Sequence, residues 1–196
     1  MGRIFYVMGK SSVGKDTIYN MLVNDKELEL KTIVGYTTRP MREGEVNGRE
    51  YFFVNEDELE KLEQAGKVIE KRGYNTVYGV WNYFTVDDEN INLNDNNYVL
   101  IGTLESYRNV RDYYGNEVVV PIYIEVEDGI RLIRAINREM TQNTPKYEEL
   151  CRRFLADTKD FAEEILDELD IKKKYNNESL EKCYKEIKGE IMRLKQ

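Results

Sequence analysis

The chain has 196 residues, of which 41% are hydrophobic, so it can bury the core of one large domain or of two small ones, with one compact unit the default. Its 29 basic and 37 acidic residues give a net charge of −8, so we expect neither nucleic acid nor a membrane as a partner. Histidine is absent and the two cysteines stand far apart, which excludes zinc sites and histidine-based triads.

No apolar run approaches the roughly 20 residues that a membrane-spanning helix needs. The first residues lead directly into a strand-like run and lack the pattern of a signal peptide. We therefore expect a cytoplasmic protein.

The first predicted elements are a buried strand over residues 4–8 and a helix that begins near Thr17. Residues 9–15, Gly-Lys-Ser-Ser-Val-Gly-Lys, join them and fit the pattern GxxxxGK; we call this segment the phosphate loop. In such a loop, backbone N–H groups and the helix N-terminus face a β-phosphate, while Lys15 reaches the β- and γ-phosphates. The predicted ATP phosphate-binding residues are Gly9, Ser11, Ser12, Val13, Gly14, Lys15, Asp16 and Thr17.

Asp16 stands where the phosphate-loop pattern has Ser or Thr, whose hydroxyl binds magnesium. A carboxylate is a good magnesium ligand, but it adds negative charge beside the triphosphate. Asp16 is therefore a candidate metal ligand. The equally weighted alternative is a helix N-terminal charge that interacts favourably with the helix dipole.

The middle of the chain predicts a small α+β unit. Asn55 and Glu58 have the spacing of a capping box, which predicts a helix that ends near Gly66. Short strands are expected at 68–70 and 78–84. Farther on, strands and helices alternate again, the apolar run 118–126 is typical of a central parallel strand, and one long helix is predicted over about 145–169.

A second group of charged residues lies between Thr37 and Phe53, in the segment Thr-Thr-Arg-Pro-Met-Arg-Glu-Gly-Glu-Val-Asn-Gly-Arg-Glu-Tyr-Phe-Phe. Arg39 and Arg42 are three residues apart beside glycine, and two guanidinium forks that converge on one anion suit a phosphate. Tyr51 can add a hydroxyl donor. The alternative is a solvated charged loop.

This segment resembles the signature of the guanylate kinase family, and the resemblance extends over nearly the whole chain. It implies an α/β P-loop NTPase fold of three layers, with a parallel core sheet, an α+β acceptor-binding insert and a short lid. The acceptor phosphate would be bound by Arg39, Arg42, Tyr51 and Tyr78. Glu70 matches the carboxylate that reads the guanine base.

Other guanine-side positions depart from the family pattern. Gly35 falls where the family has a serine, and Val80 where a small hydroxyl residue is common. Ile101 and Thr103 stand where acidic residues usually end a strand, although Thr103 can still make one hydrogen bond to the acceptor. These departures leave a different base preference open.

Arginines near the expected lid form the third group. Arg134 and Arg138 share a helix face, and Arg153 lies on the next predicted helix. The resemblance implies that these three side chains close over the phosphates and stabilise the charge of the transferred group, as Lys15 does. Arg131 and Arg152 are weaker candidates, and a solvated basic helix face is the alternative.

The sequence thus predicts a magnesium-dependent nucleoside monophosphate kinase that binds ATP and, as acceptor, GMP or dGMP. We expect one domain over 1–196, with a core of 1–33, 85–138 and 146–196, an acceptor-binding insert at 34–84 and a lid at 139–145. Two alternatives stay open. One is a kinase for another nucleoside monophosphate, and the other is a binding module that has lost turnover.

Overall fold

A computed structural model describes residues 1–76, 79–88 and 90–195. In chain order its elements are β1 (Ile4–Met8), α1 (Lys15–Asn24), β2 (Lys31–Thr32), β3 (Tyr36–Thr37), β4 (Phe52–Phe53), α2 (Glu56–Gln64), β5 (Val68–Thr76), β6 (Gly79–Val86), β7 (Tyr98–Ile101), α3 (Leu104–Tyr114), β8 (Val119–Glu125), α4 (Asp128–Met140), α5 (Tyr147–Asp160), α6 (Glu163–Glu168), β9 (Lys174–Asn176) and α7 (Leu180–Leu194).

The core is a five-stranded parallel sheet with the strand order β2-β7-β1-β8-β9. β1 lies at its centre, with Ile4 opposite Tyr98 on one side and opposite Val119 on the other. All five residues of β1 are buried, as expected for an apolar run with helices on both of its faces. The carboxyl ends of β1, β7 and β8 consequently lie side by side, where the phosphate loop begins.

Two apolar clusters cover the two faces of the core sheet, so the fold has three layers. One cluster joins alternate residues of β1, such as Tyr6, to α3 and to the region around α6. The other joins the remaining β1 residues, such as Val7, to α1 and α7. Side chains of a strand alternate between faces, so each β1 residue contributes to one cluster. The predicted α/β three-layer arrangement is confirmed.

A second, four-stranded sheet has the order β4-β3-β6-β5 and uses residues between 36 and 86. Its long antiparallel pair, β5 and β6, replaces the short strands that were expected at 68–70 and 78–84, because the pairing continues from Val68 opposite Val86 to Thr76 opposite Gly79. Val77 and Tyr78 fall outside the described residues. The sheet packs on α2 through Leu59 and Phe84.

Helix α2 begins as predicted. The Asn55 side chain accepts a hydrogen bond from the Glu58 backbone at 2.8 Å, and the Glu58 side chain accepts one from the Asn55 backbone at 3.0 Å. These reciprocal bonds satisfy two backbone donors that the first turn would otherwise leave without partners. The capping box is therefore confirmed.

The single long helix expected over about 145–169 is wrong. The structure has two helices there, because α5 ends at Asp160 and Ala162 takes an extended conformation, with φ −64° and ψ 147°, before α6. Phe161 at the break is buried and stacks on Tyr123 of β8, with ring centroids 5.7 Å apart. Burial of this ring against the core sheet interrupts a stretch whose local sequence favours a continuous helix.

The two cysteines lie in opposite environments. Cys183 of α7 is buried in the cluster with α1, whereas Cys151 of α5 is exposed. Burial raises the pKa of the Cys183 thiol to about 11. Separately, no helix in the described part of the chain is long and apolar enough to cross a membrane.

Candidate active site

The phosphate loop leaves the carboxyl end of β1 and enters α1 at Lys15. Gly14 has a φ of +91°, a conformation that favours glycine, and a Cβ atom there would lie 2.4 Å from the Nδ2 atom of Asn177. That Nδ2 atom donates to the Val13 carbonyl at 2.7 Å. Asn177, which directly follows β9, thus holds the loop in its curved shape.

Lys15 and Asp16 form the first turn of α1 and line a large cleft of about 990 Å³. The Lys15 Nζ atom lies 3.8 Å from Asp16 Oδ2. The side chain of Lys15 is only 19% exposed, whereas that of Asp16 is 77% exposed. The sequence thus places a cation partly sheltered from water and a freely accessible carboxylate at one helix N-terminus.

Helix α5 contacts the phosphate loop directly. The Arg153 Nη2 atom donates to Ser11 Oγ at 3.2 Å, and the Ser11 backbone N–H donates to Asp157 Oδ2 at 2.7 Å. Arg153 and Asp157 are four residues apart, so they share one helix face. The predicted lid arginine at 153 therefore lies against the loop, accompanied by a carboxylate that the sequence analysis did not identify.

Arg131 is an internal anchor between α4 and α5. Its side chain is only 1% exposed, its Nε atom donates to Asp128 Oδ1 at 2.6 Å, and its Nη1 atom lies 3.5 Å from Asp157 Oδ2. The guanidinium carbon sits 3.8 Å from the centre of the Phe154 ring. Ion pairs and ring stacking on one buried cation tie the two helices together. The guanidinium of Arg131 lowers the pKa of Asp128.

The other predicted lid arginines differ in their surroundings. Arg134 donates from Nη2 to the backbone oxygen of Asn177 at 2.9 Å, so it supports the residue that holds the phosphate loop. Arg138, one helical turn further, is exposed. It lines a cavity of about 170 Å³ together with Ser11 and Arg153. The structure thus brings Arg138 and Arg153 to one space beside the loop, with Arg134 directed towards Asn177.

Arg39 makes its main contacts within its own loop. It is buried, and it pairs with both carboxylate oxygens of Glu45, with Nη1 2.7 Å from Oε2 and Nη2 2.5 Å from Oε1. Its guanidinium carbon also lies 5.4 Å from the centre of the Tyr51 ring. The hydrogen bond from Arg39 lowers the pKa of Glu45 to about 2, and the backbone N–H of Arg42 adds to this effect. The Arg42 side chain is exposed.

A cavity of about 580 Å³ lies between the second sheet and the carboxyl end of the core sheet. Tyr51 and Glu70 line it, as do the departures from the family pattern at Gly35 and Ile101. The Glu70 side chain is only 2% exposed. Tyr78, also predicted to bind the acceptor, lies outside the described residues.

Glu70 already has two partners in this cavity. Its Oε1 atom accepts from Thr85 Oγ1 at 2.9 Å, and its Oε2 atom accepts from Arg72 Nε at 3.0 Å. Thr103, the remaining predicted acceptor residue, caps α3 by accepting from the Ser106 backbone at 3.2 Å, and it lines the adjoining large cleft. A buried carboxylate in the wall of a cavity is suited to accept hydrogen bonds from the N–H donors of a ligand.

The two large cavities share part of their walls. Arg72, Tyr74 and Ile101 line both the 580 Å³ cavity and the 990 Å³ cleft that contains Lys15. A ligand in the first cavity therefore lies next to a ligand on the phosphate loop.

Comparisons with known proteins identify the family of this chain. The family model for guanylate kinase matches residues 1–193. The chain belongs to the guanylate kinase family. It is therefore a nucleoside monophosphate kinase by family, which confirms the resemblance on which the sequence analysis relied.

Relatives of this guanylate kinase family member match over most of their length. A guanylate kinase of Mycoplasma mobile is 30% identical and aligns with 98% of this chain and 93% of its own. One of Caldanaerobacter subterraneus is 27% identical, with 97% of this chain and 87% of its own aligned. The crystal structure of guanylate kinase from Anaplasma phagocytophilum is 23% identical and superimposes with a TM-score of 0.59, covering 100% of this chain and 87% of that one. This likeness supports the fold.

Proposed function

We propose that this chain transfers the γ-phosphoryl group of ATP to GMP and so produces ADP and GDP. The observation that carries the acceptor assignment is Glu70, a buried carboxylate in the cavity that adjoins the phosphate loop. Guanine presents its N1–H and 2-amino donors side by side, and a carboxylate accepts from both. Adenine has an acceptor at N1, which a carboxylate would repel.

The ATP phosphates would lie on residues 9–17, where the curved loop and the N-terminus of α1 supply N–H donors. Lys15, partly sheltered from water, would contact the β- and γ-phosphates. The Ser11 N–H donates to Asp157 in the structure. When ATP binds, this N–H would either donate to both Asp157 and a phosphate oxygen or leave Asp157 and donate to the phosphate alone. These assignments follow the pattern of the loop and its observed shape.

Asp16 fits the requirements of a magnesium ligand. In the described residues, no group of three Asp, Glu, Cys or His side chains could hold a metal ion. Magnesium in phosphoryl-transfer sites is usually bound by one or two carboxylates together with phosphate oxygens and water, so the single exposed carboxylate of Asp16 is sufficient. The ion, bound with ATP, would neutralise charge on the β- and γ-phosphates.

The acceptor phosphate would be bound by Arg39, Arg42, Tyr51 and Tyr78. Because Arg39 pairs with both oxygens of Glu45, acceptor binding requires either a shared guanidinium or the opening of this ion pair. The Arg42 side chain is exposed and would turn towards the same acceptor phosphate. The family resemblance supports this arrangement, and Tyr51 lines the 580 Å³ cavity.

The transfer itself needs no general base, because the attacking oxygen belongs to the ionised α-phosphate of GMP. That oxygen forms the new bond to the γ-phosphorus while the bond from the γ-phosphorus to the β,γ-bridging oxygen breaks, so ADP leaves. Arg134, Arg138 and Arg153, with Lys15, would stabilise the charge on the transferred group. Closure over the site would exclude water and prevent hydrolysis of ATP.

A different acceptor base is the second candidate. Gly35 supplies no hydroxyl and Ile101 no carboxylate to the cavity wall, so the side chains available to read guanine are fewer than the family pattern has. A kinase with relaxed base selectivity would have the same phosphate chemistry and a broader acceptor range.

The decisive test is an ADP-release assay with magnesium-ATP and each of GMP, dGMP, AMP, CMP, UMP and dTMP. We expect turnover with GMP or dGMP and its loss in Lys15→Ala. Lys185→Ala is the matched control, because that lysine is exposed on α7 and pairs only with Glu181 among the described residues. Turnover with a nucleotide of another base, and none with GMP or dGMP, would show that the acceptor is that nucleotide. Nucleotide binding without turnover on any of the six would indicate a binding module.

A further inference from the structure

Arg72 lies beside Glu70 in the wall of the acceptor cavity. Residues two apart on a strand share a face, so β5 presents the carboxylate and the guanidinium side by side. Arg72 Nε is 3.0 Å from Glu70 Oε2, and Arg72 Nη2 is 3.4 Å from Glu70 Oε1. The Arg72 side chain is 28% exposed, against 2% for Glu70. In this ion pair, the Glu70 carboxylate is buried and the Arg72 guanidinium is partly exposed to solvent.

The guanidinium of Arg72 has donors to spare. Its bonds to Glu70 use Nε and Nη2, and its Nη1 atom makes no hydrogen bond within the described residues. Arg72 lines both the acceptor cavity and the cleft of the phosphate loop. A guanidinium is always charged and can only donate, so its free donors require an acceptor from a ligand or from water.

Guanine has a matching edge. Its N1–H and 2-amino donors adjoin the O6 acceptor, and arginine to guanine O6 is a common and specific pairing. Adenine carries an amino donor in place of O6, which a guanidinium cannot accept. Gly35, which also lines this cavity, has no side-chain donor for O6. A carboxylate and a guanidinium together therefore complement the whole edge of guanine.

We propose that Arg72 is a specificity-determining residue, which donates a hydrogen bond to guanine O6 while Glu70 accepts from N1–H and the 2-amino group. This inference rests on the proposed function. To receive guanine, Arg72 gives up its longer contact with Glu70, at 3.4 Å, and turns that donor or Nη1 to the base. Arg72 would thus supply the O6 donor that a serine hydroxyl at position 35 could supply in the family pattern.

Two simpler roles predict different behaviour. If Arg72 only holds Glu70 in position, its loss affects recognition of N1–H and the 2-amino group and leaves recognition of O6 unchanged. If Arg72 contacts the phosphates instead, its loss lowers kcat equally for every base.

The test measures KM and kcat of the full chain with GMP, with 6-thio-GMP, whose sulfur is a poor acceptor, and with IMP, which lacks the 2-amino group. Arg72→Met should raise the KM for GMP ~10- to 100-fold, the range for a hydrogen bond to a charged group, and leave kcat within a few-fold. The KM for 6-thio-GMP should hardly change, so the preference for GMP over 6-thio-GMP disappears. Arg72→Lys should restore part of it.

Arg193→Met is the matched control, since this exposed arginine pairs with Glu190 on α7, far along the chain from β5; it should retain all three KM values. Thermal unfolding and ATP binding establish that the Arg72 variants are folded. The assignment is overturned by an equal loss on GMP and 6-thio-GMP, by a loss confined to kcat, or by a collapse of the GMP-to-IMP preference alone. Failure of the unmodified chain to phosphorylate GMP would instead overturn the proposed function.

Discussion

Asp16 has two candidate roles at the start of α1. Its carboxylate lies in the first turn of α1, where negative charge interacts favourably with the helix dipole, and it is exposed beside Lys15. The same exposure makes it available to magnesium. The two roles are separable by experiment because only one of them depends on the metal.

If Asp16 binds magnesium, Asp16→Ala should raise the magnesium concentration needed for half-maximal activity by roughly tenfold, as expected for the loss of one contact to a charged group. Titration of activity with magnesium at fixed ATP measures this. A helix-dipole role alone would leave the magnesium requirement unchanged and would lower the unfolding free energy by about 0.3 to 1 kcal/mol. Asp16→Ser, which restores the hydroxyl of the common pattern, should behave nearly as the unmodified chain does.

Residues with a strong local pattern could be identified from the sequence, whereas residues whose partners are distant could not. The GxxxxGK spacing predicted the tight loop between β1 and α1, in which Gly14 has the positive φ that favours glycine. Asp157 was missed, since its partner Ser11 is 146 residues away; its position four residues after Arg153 was the available signal. The contact of Arg72 with Glu70 was missed because an arginine on a strand is usually solvated, although the spacing places both side chains on one face.

Among the elements, α1 and α7 are joined by a cluster of polar side chains at the end of α1. Asp25 accepts a 2.6 Å hydrogen bond from Lys188 Nζ and a further one from the Tyr184 hydroxyl. Lys188 first, and Tyr184 second, lower the pKa of Asp25 from 3.8 to about 2. The cluster thus adds a pH-dependent contribution to the apolar contacts between the two helices.

Asp25→Asn should therefore lower the stability of the chain at neutral pH. A carboxyl whose pKa is lower in the folded state stabilises the fold above its unfolded pKa, near 4, and this stabilisation is lost as the pH falls towards 2. We expect the difference in unfolding free energy between the two chains to be constant from pH 7 to 5 and to shrink from pH 4 to 2. Urea unfolding at several pH values measures it; a difference that does not change with pH would contradict the role of Asp25.

The elements themselves were predictable where hydrophobic spacing or capping is local. The capping box of α2 and the buried run of β8 belong to this class. The break between α5 and α6 does not, because it depends on the packing of Phe161 against Tyr123, a contact between distant parts of the chain. The extent of the β5–β6 hairpin likewise depends on pairing between strands, which no single strand's composition reveals.

Over the whole molecule, basic residues are concentrated around one cleft although the chain as a whole is acidic. The net charge is −8, yet basic residues outnumber acidic ones in the lining of the large cleft: Lys15, Lys71, Arg72, Arg108, Arg152 and Arg153 against Asp16, Glu105, Asp157 and Asp160. Positive charge in a cleft attracts nucleotide phosphates locally, while the acidic remainder repels other polyanions. The 580 Å³ cavity, which shares Arg72 with this cleft, adjoins the same region.

The contrast between the two cysteines predicts their reactivity. Only the exposed thiol of Cys151 should react with a thiol reagent in the native chain, because Cys183 is buried and its thiol has a pKa of about 11. We expect one reactive thiol per folded chain and two in denaturant, as counted with a chromogenic disulfide. Two rapid reactions in the native chain would show that α7 is less firmly packed than the structure indicates.

The exposed Cys151 also allows a fluorescent dye to be attached at one position without any substitution in the chain. Cys151 lies on α5 next to Arg152 and Arg153, on the helix that contacts the phosphate loop through Ser11. Because α5 contacts this loop, we expect a dye attached to the Cys151 sulfur to change its emission when a nucleotide binds to the phosphate loop. Stopped-flow mixing could then measure the rate at which ATP binds and leaves.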